Sequence, residues 1–269
     1  MIIPLTFFTC ESPKFLLSKS GKRDTEAYVV IYKLLPNDKK HLLNEEVKRK
    51  ISKQYYSYMK LDEKRSKFKD LFNYENLTTS LILFVLWYIV SYIYYGSIYI
   101  LPNIYKNLTL TENKTKIVNE KLYDQIVFDI IFSCFFEIPG NILSGILPNS
   151  IGRKQTIIFG FLLSSIFSIL CIFSTFAVPI YSSFVKSLVN VSFIVLYIFT
   201  SENYPTYMRV TAMGTCNFFS RLGGFTTPLI NELLYEIHVY LPFVGFTLTS
   251  LLGLFLTLKL TDTQHKSTF

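Results

Sequence analysis

The chain has 269 residues, 50% of them hydrophobic and 17% aromatic, and a formal net charge of +8. The apolar residues gather into runs of about 20, each long enough to cross a bilayer at ~1.5 Å rise per residue. Those runs are too long for core strands and none alternates with period two, which excludes an ordinary soluble fold. The first ten residues, "MIIPLTFFTC", are apolar but too short to span, and they lack the basic start and small-residue cleavage site of a signal peptide. They read as the stump of a preceding membrane helix. Residues 11–75 are polar and basic, with 16 Lys/Arg, and read as a linker with short helices. Six spans follow within 76–261: Thr78–Leu101, Ile126–Leu147, Thr156–Phe176, Pro179–Thr200, Met208–Ile230 and Tyr240–Leu260. Residues 262–269 form a tail. The fold class is all-α, a multi-pass membrane helix bundle.

Charge sets the orientation. The basic stretches "VKRKISK" and "EKRSKFK" place residues 11–75 in the cytoplasm, because Lys and Arg accumulate on that side. "SIGRKQ" and "YPTYMR" then fall inside with Arg153, Lys154 and Arg209, and the C-terminal tail returns inside with Lys259 and Lys266. The turns near Ala177 and His238 fall outside without Lys or Arg. The outside loop 102–125 carries four lysines, but also Glu112, Glu120 and Asp124, together with glycosylation sequons at Asn107 and Asn113. Plasma membrane and intracellular vesicle are not distinguishable from these features.

Charged residues inside the runs are the candidates for function, since a cation at the bilayer centre costs on the order of 2.5–3.5 kcal/mol. Arg221 is the only charge between Val210 and Ile230. It reads as a pathway or gate residue facing a polar cavity, where it attracts anions, or as a structural bridge to a neighbouring helix. Lys186 lies in "PIYSSFVKSLVNVSF", with Asn190 one turn away on the same face. Substrate contact and snorkelling to the outer surface are both open to it. Asp129 sits near the outer end of its span as a rim charge. Glu137 lies deeper, before Pro139 and Gly140, which can loosen the helix beside its carboxylate. It is a candidate for proton titration; the plainer alternative is an ion pair with a cytoplasmic-side arginine. Trp87, Tyr88, Tyr92, Tyr94 and Tyr95 can line a cavity and hold organic cations through their rings, with Tyr92 and Tyr95 the pathway candidates. An interfacial belt or simple packing explains the same set. Gly214, Gly223 and Gly224 suit close helix approach.

Other chemistry has little support. Cys10, Cys134, Cys171 and Cys216 are scattered without ligand spacing, so neither a metal nor a redox site is expected. No phosphate loop or catalytic triad stands out, no cofactor is implied, and an enzyme is rejected. The basic stretches sit beside membrane spans and suit lipid headgroups or solvent better than nucleic acid.

Four stretches in order resemble one family. "ESPKFLLSKSGKRDTEA" looks like the segment after the sixth helix of major facilitator transporters, and "LILFVLWYIVSYIYYG" is similar to their seventh helix. "EIPGNILSGILPNSIGRKQTI" resembles the end of the eighth, and "YIFTSENYPTYMRVTAMGTCNFFSRLGGFTTPLI" the connection from tenth to eleventh, in the branch of synaptic-vesicle-two-related proteins and organic ion transporters. The resemblance implies the six-helix C-terminal half of that fold, preceded by its cytoplasmic linker. It also implies a secondary transporter of a small organic solute or ion, which needs an N-terminal six-helix half for a complete pathway. The position of Lys186 corresponds to a Lys or Arg in related transporters. Glu202 and Arg209, with Arg153, Lys154 and the turn at Gly152, correspond to the family's cytoplasmic gate. Asn149 and Ser150 depart from it, standing where Asp and Arg are expected. The alternatives are a half-transporter subunit, a non-transporting membrane scaffold, or an incomplete version of a longer protein.

Overall fold

A computed structural model describes residues 24–36, 44–51, 53, 71–72, 77–111, 116–173, 177–204 and 206–261. The chain divides into two compact units, residues 1–65 and 66–269. In the first, helix α1 (Asp24–Leu34) and helical residues 45–51 enclose a small cluster of Ala27, Val30 and Ile51. The Tyr28 hydroxyl donates to the Lys48 carbonyl at 2.9 Å, and Lys48 pairs with Glu45 at 2.9 Å. The expected stump 1–10 and tail 262–269 lie outside the described residues, as does much of the linker.

The second unit holds six long helices: α2 (Leu77–Thr111), α3 (Lys116–Ser150), α4 (Arg153–Phe173), α5 (Val178–Asn203), α6 (Thr206–Ile237) and α7 (Leu241–Lys259). Each expected span falls on one of them. The breaks have local causes. Gly152 takes φ 97° between α3 and α4, a conformation that a side chain strains. Tyr204 is extended at ψ 139° because the following Pro205 disfavours helix there, and α6 restarts at once. Prolines begin α5 and α7, where a missing amide hydrogen costs nothing.

Two boundaries differ from expectation. Most of the loop expected at 102–125 is helical: α2 runs to Thr111 and α3 starts at Lys116, with 112–115 outside the described residues. Asn107 sits in that extension; Asn113 and the end of the third expected span, 174–176, lie outside the described residues. An apolar run marks the part of a helix in lipid, whereas intrahelical hydrogen bonds continue into polar sequence beyond it. The other difference is α6. Five of the six helices are long and apolar enough to cross a membrane, and α6 is the one left out. Its Asn217, Arg221, Asn231, Glu232 and Glu236 dilute the apolar signal.

The central helix is α2, which packs on α5, α6 and α7, while α4 packs on α5 and α7. The fully buried Trp87, Phe161, Phe199, Phe243 and Phe246 fill the interior. Small residues set the closest contacts, as they do where lipid offers no hydrophobic drive. A Cβ on Gly223 would stand 2.5 Å from the Tyr88 carbonyl, and the Ser91 and Ser220 hydroxyls touch across the same α2–α6 seam. Trp87 donates its indole N–H to Thr200 at 3.1 Å, joining α2 to α5. Helix α3 is the least enclosed, with 17% of its apolar window buried, and it leans chiefly on α5.

Candidate functional site

Three helices converge on one ion pair. Lys186 of α5 places Nζ 2.8 Å from Glu137 Oε1 of α3, with the two side chains 7% and 21% exposed. The Tyr94 hydroxyl of α2 donates to that same oxygen at 2.9 Å, and the Tyr94 ring centroid lies 5.7 Å from the Lys186 ammonium. Glu137 is about 10 Å from the start of the α3 span and about 20 Å from its end. The pair is therefore embedded at bilayer depth. The partner of Glu137 is Lys186 and not the cytoplasmic-side arginine that its sequence position suggested. Pro139 and Gly140 do not break the helix: α3 passes through both. Gly140 instead makes room for Ser187, whose hydroxyl donates to the Phe136 carbonyl at 2.8 Å. Asn190 continues this α3–α5 seam, donating to Asn141 Oδ1 at 2.9 Å.

A second polar group lies on α2, α5 and α6. Arg221 is exposed midway along α6 and makes no hydrogen bond or ion pair among the described residues. Gly224, three residues on, lies under the Tyr95 ring, which a Cβ would meet at 3.0 Å. Tyr95 also touches Tyr94 edge-on, with centroids 5.3 Å apart. Tyr197 donates to Asn217 Oδ1 at 3.0 Å and is within electrostatic reach of both Tyr95 and Arg221. Tyr94 and Tyr95 thus join the Glu137–Lys186 pair to the Arg221 region. Tyr92 stands apart from both: it is buried, and its hydroxyl donates to Asn231 Oδ1 at 3.0 Å between α2 and α6.

At the opposite end of the bundle from His238, Arg153 Nη2 lies 3.1 Å from Glu202 Oε1, joining α4 to α5. Arg209 makes no ion pair among the described residues, and its Nε is buried without a hydrogen-bond partner. Lys154 turns elsewhere: its ammonium donates to the carbonyls of Leu258 at 2.9 Å and Leu260 at 2.6 Å, capping the end of α7. Of the residues singled out from sequence, the structure unites Glu137 with Lys186 and Arg153 with Glu202. Sequence reading passed over Asn141, Tyr197 and Asn217, and it gave Tyr94 no role beyond the aromatic set. The one available signal for Asn141 was its spacing of four from Glu137, which shares a helix face.

Residues 89–268 match the Major Facilitator Superfamily. The Synaptic vesicle 2-related protein of Xenopus laevis is 27% identical over 191 residues, 66% of this chain and 35% of that protein. Solute carrier family 22 member 13 of Homo sapiens is 30% identical over 195 residues, 70% of this chain and 32% of that protein. Solute carrier family 22 member 15-like of Xenopus laevis is 27% identical over 199 residues, 70% of this chain and 36% of that protein. The chain thus spans about a third of the length of these curated relatives.

Proposed function

The chain belongs to the Major Facilitator Superfamily, and from that premise we propose that it is the C-terminal half of a secondary transporter moving a small organic solute or ion by alternating access. The observation that carries the proposal is the buried Glu137–Lys186 pair with Tyr94 on the shared oxygen. Ionisable groups at this depth are costly and are retained where they face a polar pathway. The pair satisfies its own charges. Arg221 does not, so the wall as a whole favours an anionic group on the solute.

A second six-helix bundle completes the pathway, with the solute near the midplane between the two. Gly145 of α3 and Gly214 of α6 support this, since neither has a neighbour within 4 Å of where a Cβ would lie. A helical glycine costs roughly 1 kcal/mol against alanine, and no packing among the described residues offsets these two. Beside Gly214 is a recess of about 440 Å³ lined by Thr211, Thr215, Phe218 and Phe219. We assign the gate to Glu202 and Arg153, with Arg209 as an alternative partner for the carboxylate when the inner helix ends move.

The test is uptake into proteoliposomes holding this chain together with the N-terminal six helices of a longer protein that it matches. A panel of small cations, anions and zwitterions serves as substrates. Uptake that needs both pieces and is lost in Glu137→Gln supports the reading. Uptake indifferent to Glu137, Lys186 and Arg221 overturns it.

A further inference from the structure

We propose that Tyr94 is a positioning residue that holds Glu137 and Lys186 closed on each other and so controls access to the Lys186 ammonium. This rests on reading the pair as part of the pathway. Glu137 Oε1 receives two donors, Lys186 Nζ at 2.8 Å and the Tyr94 hydroxyl at 2.9 Å. The phenol thus fixes the carboxylate from a third helix, in the position where Lys186 meets it. The Tyr94 ring, 5.7 Å from Nζ, is close enough to shelter the cation on its face. One side chain therefore touches both charges, from the helix packed on both α5 and α6.

The surroundings leave few substitutes for it. Ser187 and Asn190, the polar neighbours of Lys186 on α5, are engaged with the Phe136 carbonyl and with Asn141. Helix α3, which carries Glu137, is the least enclosed of the bundle, and the Ser187 and Asn190 hydrogen bonds hold its backbone and Asn141 to α5 without reaching the carboxylate. Without the phenol the carboxylate is held by Lys186 alone and can turn about its own side-chain bonds. With it, a solute reaches Lys186 only by displacing a carboxylate that has two donors.

The experiment is amine labelling of the purified full chain in nanodiscs. A small acylating reagent is added at fixed pH, modification of Lys186 is followed by peptide mass spectrometry, and Lys259 serves as the internal reference. Tyr94→Phe keeps the ring and removes the donor, and it is expected to raise Lys186 labelling about tenfold, the scale of one charge-assisted hydrogen bond. Glu137→Gln raises it too, and adding Tyr94→Phe to Glu137→Gln brings little more, since the phenol acts through the carboxylate. p-Aminophenylalanine in place of Tyr94 keeps the ring and a para donor and keeps labelling slow, which decides the matter if Tyr94→Phe does not fold. Wild-type labelling in Tyr94→Phe, fast labelling with p-aminophenylalanine, or a fully additive double variant overturns the proposal. The readout needs no transported solute, so its failure leaves the transporter reading standing, and a failed uptake assay leaves this one standing.

Discussion

Removing one member of the Glu137–Lys186 pair leaves the other as an uncompensated charge beside lipid and aromatic rings. Lys186→Met and Glu137→Gln alone should each lower stability by about 3–5 kcal/mol, and the double variant should recover most of the loss. Unfolding in mild detergent, arranged as a double-mutant cycle, measures this; additive losses would mean that the two groups do not rely on each other. Arg221 should behave differently, because it is exposed and unpaired among the described residues. Arg221→Leu should insert at least as well as the parent yet abolish uptake with the partner half. Arg221→Lys should retain part of it, keeping charge but losing the forked donors. Normal uptake by Arg221→Leu would reduce the arginine to a bystander. Gly152→Ala should destabilise by about 1–3 kcal/mol, since alanine is strained at φ 97°. At this scale the sequence singled out Lys186 and Glu137 but did not show that they pair. Lys186 and Glu137 are 49 positions apart, and only packing brings α5 against α3.

At the scale of helices, five spans were legible because lipid demands about twenty apolar residues and the chain supplies them there. What was not legible follows from the same rule. The helical ends of α2 and α3 beyond the bilayer carry no apolar signature, so they read as a loop. Helix α6 packs polar and small residues against α2, and Gly223 there is a sharp test. Gly223→Leu should prise α2 from α6, because even a Cβ would stand 2.5 Å from the Tyr88 carbonyl. Loss of helical protection in both, seen by hydrogen exchange with α4 unchanged, is the expected result. In the first unit, the Lys48 hydrogen bond and charge hold the Glu45 carboxyl below its ordinary 4.5. A depressed carboxyl contributes stability that is present above its unfolded value and is lost as pH falls through the folded one. The helical turn that starts at Glu45 should accordingly loosen as pH falls through the folded Glu45 value, and Glu45→Gln should remove that dependence from the amide shifts of residues 45–51.

For the whole molecule, the alternation of basic loops predicts residues 11–75 and the C-terminus on one side of the membrane. Single cysteines at Ser20 and Ser267, introduced into an otherwise cysteine-free chain, should react with an impermeant thiol reagent from the same face of sealed vesicles. Reaction from opposite faces would remove one crossing, and α6 would be the first suspect. The grip of Lys154 on Leu258 and Leu260 has a bearing on how such a bundle is made. The lysine emerges from the ribosome more than a hundred residues before the carbonyls that it caps, so the clasp can close only after synthesis has passed the end of α7. Until then the α4 surface that receives α7, with Phe161 and Ser164, lies open in a nascent chain. Removing the last turns of α7 would not merely trim a helix; it would leave the newborn protein with that α4 surface permanently uncovered.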